Sequence, residues 1–278
     1  MTVLHVLNPS VTLSHHLTIL SLSASGNNTI SLANTTQYTF NTKISFLPGF
    51  HTIDTMSILY IANITLAGYN VSTSHAAKIV CVYPATLIFS NIVNLVMKHL
   101  SIVYCGSPIF KLRHEEEFSS IAVFFTNIIS LVMSEISVQN STGYGIVGNN
   151  ILGNSSVSHS RFVFSNYYTL SSTNCSYGLG SCKGGNMYLV YPESAVNLTG
   201  STSALSIDSC VFSDGVHDSN GPVSGGLTII YNPNQLLNLD TLISNVVSIR
   251  NVAKLGANFF SSITMVFNII TKMKLKFK

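Results

Sequence analysis

The segment IDSCVFSDGVHDSNG, residues 207–221, is where the chain concentrates groups able to do chemistry. It holds Asp208, Asp214, His217 and Asp218, in a sequence with only 10 acidic residues in all. Paired carboxylates at a set separation would serve glycoside hydrolysis, one as acid and one as base or nucleophile. A cluster of carboxylates would instead hold calcium, which takes oxygen ligands. Arg161 or His159, from a neighbouring part of the fold, would supply the basic partner. Against this stands a simpler reading: Asp-Gly and Asp-Ser-Asn-Gly are turn formers, and solvated corners account for every one of these residues.

The other candidates are weaker. His114-Glu115-Glu116-Glu117 is the densest run of charge, and adjacent carboxylates in a loop usually form a solvated face. His15-His16 stand in an uncharged segment and read as surface or packed histidines. Gly143, Gly145 and Gly148 spell GxGxxG. The dinucleotide motif, however, needs a helix after the glycines and an acid about 20 residues on. Asn149, Asn150 and Gly153 break such a helix, so the glycines read as a turn. No GxSxG nucleophile elbow occurs, and no cofactor motif is readable.

Five cysteines leave one over. Cys81 and Cys105 are disulfide candidates about one turn of a coiled chain apart, and Cys175 and Cys182 bracket a Gly/Ser loop that could bridge locally. Cys210 has no evident partner. Without CxxC spacing zinc is not expected, and no metal site is assigned.

The elements that must position these residues are announced by an internal repeat. LIFSNIVNLVMKHLSIVYC (87–105) returns 36 residues later as VFFTNIISLVMSEISVQNS (123–141). Both copies are β-branched, punctuated by Asn and Ser and free of Pro and Gly, the pattern of strands joined by tight polar corners. A second near-repeat opens with GGNMYLVY (184–191) and GGLTIIY (225–231). Each of its copies leads into an aliphatic strand pair, ALSIDSCVF or TLISNVVSI. No apolar stripe of helical period is visible.

Short strands, polar corners and a pitch in the twenties of residues predict an all-β fold, a single-stranded right-handed parallel β-helix (solenoid) burying one continuous aliphatic column. Asn91 and Asn127, at equivalent corners, would stack and bond through their amides. A β-sandwich would show Asn-Gly hairpins between alternating strands, and Asn220-Gly221 is the one such pair. The reading divides the chain into an irregular start (1–16), a β-helix domain (17–260) and a ragged tail (261–278). The solenoid reads as incomplete at both ends.

Composition narrows the function. Charged residues make up 8% and the net charge is +3, with no basic stripe of the kind nucleic acid requires. Mean hydropathy is positive, yet no window reaches the roughly 18 uninterrupted apolar residues of a membrane helix. Eight glycosylation sequons occur, at Asn27, Asn34, Asn63, Asn70, Asn140, Asn154, Asn174 and Asn197. They predict a secreted or cell-surface glycoprotein, although Asn- and Ser-rich turns also generate sequons. The first 26 residues lack the basic n-region of a signal peptide, which suggests a fragment.

Several segments, in order, carry a resemblance: NITLAG, IVCVYPATLIFSNIVNLVMKHLSIVYCGS, GYGI, SRFVFSN, GGN, SCVFSDG, GGL and GANFF, with FLPGFHTI and VTLSHH before them. Together they are similar to uncharacterised right-handed parallel β-helix proteins of the pectate-lyase-like superfamily, found in simple marine animals such as sponges. The resemblance implies the fold over residues 10–260. With so few carboxylates, it points to a non-catalytic extracellular protein whose face binds glycans or surface proteins. The alternative is a polysaccharide lyase or glycoside hydrolase using Asp208, Asp214 and Asp218.

Overall fold

The computed structural model describes residues 2–6, 16–22, 41–46, 48–53, 56–59, 62–68, 77–81, 85–111, 118–141, 143–163, 185–191, 204–217, 225–230, 240–253 and 259–261. Among them the regular structure is all strand, with no helix. The strands stack in parallel, rung upon rung, into three columns.

The first column runs through Met56–Leu59, 87–90, 123–126, Tyr144–Ile151, Met187–Val190, Leu227–Ile230 and Phe259–Ser261. A second takes Thr2–Val6, His16–Leu22, Asn41–Phe46, Asn63–Gly68, 94–98, 131–134, Ser155–Ser158, Ala204–Asp208 and Asp240–Ser244. The third comprises Gly49–Ile53, Ala77–Cys81, 100–103, 136–139, Arg161–Val163, Val211–Ser213 and Val247–Ile249. Antiparallel pairing among the described residues is confined to Ser107–Lys111 against 118–121 and the bridge between Ala85 and Gly106. The hairpins that a sandwich needs do not organise the molecule.

The internal repeat is one rung laid on the next. Leu87 pairs with Val123, Leu95 with Leu131 and Leu100 with Ile136, at a constant offset of 36 residues. In the second near-repeat, Met187 pairs with Leu227 and Leu205 with Thr241, again on consecutive rungs. Like residues therefore stack on like. Rung length is not constant, however. Register partners lie 31 residues apart at Asn63 and Asn94 and 23 apart at Asn127 and Asn150. The expected pitch in the twenties holds for some rungs only: Val80 and its partner Val103 are 23 residues apart, Ser158 and its partner Asp208 50.

At twelve corners among the described residues the chain turns through one residue in the left-handed region. Asn91, Asn127 and Asn150 turn the first corner, and His99, Glu135, His159, Ser209 and Asn245 the second. Tyr104, Asn140, Asp214 and Arg250 turn the third. This conformation costs an ordinary L-residue roughly 1–2 kcal/mol, and Asn and Asp tolerate it best because their short side chains bond locally. The expected stacking of Asn91 and Asn127 is present: Asn127 Nδ2 donates to Asn91 Oδ1 at 2.9 Å, and Asn150 Nδ2 donates to Asn127 Oδ1. A second amide pair joins Asn94 to Asn63.

Between corners, alternate side chains point inward. Residues Leu87, Val123, Ile146, Met187 and Leu227 form one buried file, and Leu66, Met97, Met133, Val157, Ile207 and Ile243 another. Aromatic rings continue the stacking, Phe89 on Phe125 at 5.4 Å and Phe162 on Phe212 at 5.1 Å between centroids. Burying each ring is worth about 1.5–3 kcal/mol, so the aliphatic and aromatic files carry the stack. The outer face of the first column is also covered: Ile121, Phe124, Tyr144, Val147, Tyr188 and Ile230 form a second buried cluster there.

Two expectations need correcting. The glycine-rich segment is not a turn, since Gly145 and Gly148 lie within the strand Tyr144–Ile151. A Cβ on Gly145 would sit 2.7 Å from the Asn186 carbonyl oxygen, and one on Gly148 would sit 2.8 Å from Leu189 Cδ2. These are positions of close approach by the next rung, the other use of a strand glycine. Within the supposedly irregular start, Thr2–Val6 is a strand paired with His16–Leu22. The apolar segment 121–133 lies inside the strand Phe118–Gln139. No helix among the described residues is long and apolar enough to cross a membrane.

Candidate functional site

Asp208 ends the strand Ala204–Asp208. Leu205 and Ile207 point inward, so the strand alternation turns Asp208 outward, beside the second corner at Ser209. Its carboxylate accepts hydrogen bonds from Ser244 Oγ at 2.5 Å, Ser209 Oγ at 2.9 Å and Asn245 Nδ2 at 3.0 Å. The Ser244 bond, followed by those from Ser209 and Asn245, holds the carboxyl below its ordinary range, and the charge of His159 adds to this. His159 belongs to the preceding rung, where its backbone N–H donates to the Asp208 carbonyl at 3.0 Å.

Asp214 is itself the third corner, with φ of 60°. Arg250, the corner residue of the next rung, clasps it with both Nε and Nη2, the latter at 2.8 Å. That bond depresses the Asp214 carboxyl, with further help from the charge of Arg161. The two basic residues named with this segment lie on the preceding rung, and each adds its charge at a different carboxylate. His159 is the second-corner residue of the preceding rung, and Arg161, paired with Val211 at the start of the third column, adds its charge to the field at Asp214. The strand Val211–Ser213 lies between the two carboxylates. His217 lies on the short strand Val216–His217, beside Val252–Ala253. Asp218 lies outside the described residues, as do His15 and the run 114–117.

The same corner files contain polar residues that composition did not single out. His99 Nδ1 and Glu135 Oε2 are 2.9 Å apart at the second corner. Deeper in, Asn186 and Asn251 are buried together. Asn186 Nδ2 donates to Asn251 Oδ1 at 3.1 Å and to the Ser213 carbonyl. Asn251 Oδ1 also accepts from the Gly215 N–H at 2.8 Å, and its Nδ2 donates to Ser248 Oγ and the Phe212 carbonyl. This network satisfies backbone groups where the chain leaves the third column, as buried polar groups require. A signal for these partners existed in the sequence. Adding the 36-residue repeat offset to His99 gives Glu135, and adding it to Asp214 gives Arg250.

Cys81 and Cys105 form a disulfide with Cα atoms 4.9 Å apart. Cys210 is a free, buried thiol, and burial pushes its pKa up to about 11. Cys175 and Cys182 lie outside the described residues. Of the sequons, Asn154 is exposed and Asn140 half-buried at a corner, while the side chain of Asn63 is engaged by Asn94. Asn27, Asn34, Asn70, Asn174 and Asn197 are outside the described residues. No group of three or more His, Cys, Asp or Glu among the described residues is arranged to hold a metal ion.

Outward residues of the second and third columns are mostly half-buried or exposed among the described residues. On the third, Phe50, Lys78, Ser101, Ser137, Arg161, Val211 and Val247 occupy successive rungs at one register position. Compared with protein families, with curated proteins and with solved structures, the chain matches none.

Proposed function

We propose that the chain is a right-handed parallel β-helix that acts outside the cell, or on its surface, as a non-catalytic binder of glycans or proteins. One observation carries the reading. The two described carboxylates of the candidate segment, Asp208 and Asp214, each accept hydrogen bonds from the next rung at different corners. They fasten the stack, and both are held ionised by the groups that fasten them. A hydrolase needs one carboxyl able to give up a proton at working pH, and both of these are shifted the opposite way.

The extracellular assignment rests on the Cys81–Cys105 disulfide, a bond that persists in oxidising compartments, and on the eight sequons. The long outer faces, rich in uncharged polar side chains, supply the surface.

The test is secretion from a eukaryotic host followed by screening on neutral and anionic glycans and on surface-protein libraries, for the wild type and for Asp208→Asn/Asp214→Asn. Binding retained by the folded double variant is expected. Turnover of a polysaccharide that the double variant loses would establish the alternative, a carbohydrate-active enzyme.

A further inference from the structure

His51 puts an imidazole at the head of an apolar file. It points inward from the strand Gly49–Ile53 and is 1% exposed, while Phe50 and Thr52 on either side point outward. In register it stands on Ile79, and the same file continues through Ile102, Val138, Phe162 and Phe212, all buried. The ring packs edge-on against Phe46, with centroids 5.3 Å apart and planes at 75°. His99 and His159, by contrast, stand at corners with part of their surface in water.

The described charges nearby belong to the outer side. Lys43, on Asn41–Phe46, is exposed, and Lys78, on Ala77–Cys81, reaches over the ring of the outward Phe50 with Nζ 5.4 Å from its centroid. His16 is the register partner of Lys43. Cys81 is taken up in its disulfide, and Met56–Leu59 and Asn63–Gly68 bring no titratable residue. Asp54 lies outside the described residues.

The strand that carries His51 is also lightly held. Among the described residues Gly49–Ile53 pairs along one edge only, with Ala77–Cys81. That partner is itself fastened to the following rung, by its pairing with 100–103 and by the Cys81–Cys105 bridge. Opening at His51 therefore stops at one strand.

We infer that Gly49–Ile53 is an acid-released strand, docked while His51 is neutral and undocked when the imidazole takes a proton. An imidazolium in the buried file loses its hydration, whereas the opened strand returns it to water. The sign follows: docking is favoured above the ordinary histidine value of about 6.5 and loses that preference as pH falls below it. With the proton taken up by the opened form, the opening equilibrium rises about tenfold between pH 7.5 and 5.5. This window lies above the one in which Asp208 and Asp214 lose their charge. Release withdraws Phe50, 71% exposed, from beside Lys78 and bares the edge of Ala77–Cys81, which can then pair with another strand. The inference is independent of what the outer faces bind.

The test is amide hydrogen exchange on the full chain at pH 7.5 and 5.5, corrected for the intrinsic effect of pH on exchange, for wild type, His51→Leu and His51→Gln. In the wild type, exchange at 49–53 should rise about tenfold relative to 123–139 on acidification, and neither variant should show the rise. An unchanged rate in the wild type, or a rise that the variants keep, would overturn the switch. Circular dichroism checks the fold of both variants. Should neither fold, NMR titration of the wild-type histidine rings decides: proton uptake by His51 together with faster exchange at 49–53 supports release, and uptake without it refutes release.

Discussion

Replacing Asn127 isolates what a corner residue does. It holds a left-handed φ of 54°, donates to Asn91 Oδ1 at 2.9 Å and accepts from Asn150 Nδ2. Asn127→Ala removes both bonds, each worth about 1 kcal/mol net, and places a Cβ without local compensation in the left-handed region, at about 1 kcal/mol more. The expected loss is about 3 kcal/mol, the sum of those contributions. Asn127→Gly removes the same bonds but relieves the φ cost, so its loss should be about 2 kcal/mol. Asn149→Ala, on the exposed side of the adjacent rung, is the control and should stay within about 0.5 kcal/mol of wild type.

With no tryptophan in the chain, urea unfolding followed by circular dichroism is the natural global assay. Because stacked rungs can open locally, amide exchange on peptides covering 123–151 reads the effect where it arises. If Ala and Gly both leave stability unchanged, the amide file contributes nothing and the account of the corners is wrong. Equal losses for Ala and Gly would refute the conformational part alone.

Other perturbations test the remaining fastenings. Asp208 and Asp214 have depressed folded pKa values, so their contribution is present above the ordinary carboxylate value of 3.8 and is lost as pH falls through the folded values. Melting temperature should drop on acidification below about pH 4, and Asp208→Asn/Asp214→Asn should flatten that drop; an identical acid limb in both proteins would contradict the assignment. Cys210, buried and with its pKa near 11, should react with a thiol reagent only as fast as the surrounding rungs open. Prompt labelling of the native protein at neutral pH would show that the thiol is accessible. Removing the Cys81–Cys105 bridge, which closes a loop 24 residues apart in sequence, should cost about 3 kcal/mol in urea titrations of Cys81→Ser/Cys105→Ser.

The parts of this fold that are legible in the sequence are those where stacking places like on like. The repeated LVM motif and the Asn91–Asn127 pair are written at the 36-residue offset of a rung, and the Cys81–Cys105 bridge spans 24 residues where the register offset is 23. Rung length is not legible elsewhere, because the number of residues between register partners, as from Ser158 to Asp208, varies without disturbing the pairing. Gly145 and Gly148 could not be read correctly from local context, since their small size answers to Asn186 and Leu189 of the next rung. The acids of the candidate segment were visible as residues but not as fasteners. Their partners Ser244, Asn245 and Arg250 lie about 36 residues on, an offset that the chain displays openly only in its first repeat.

The in-register offset of 36 residues between 87–103 and 123–139 also makes the molecule a ruler. Duplicating such a unit inserts one whole rung, adding about 4.8 Å of height while the cross-section, the corner residues and the outward files continue unbroken. A gene that gains or loses such a unit changes the reach of its product in discrete steps. Length becomes a heritable quantity, tuned by duplication of whole rungs and needing no new core to be designed.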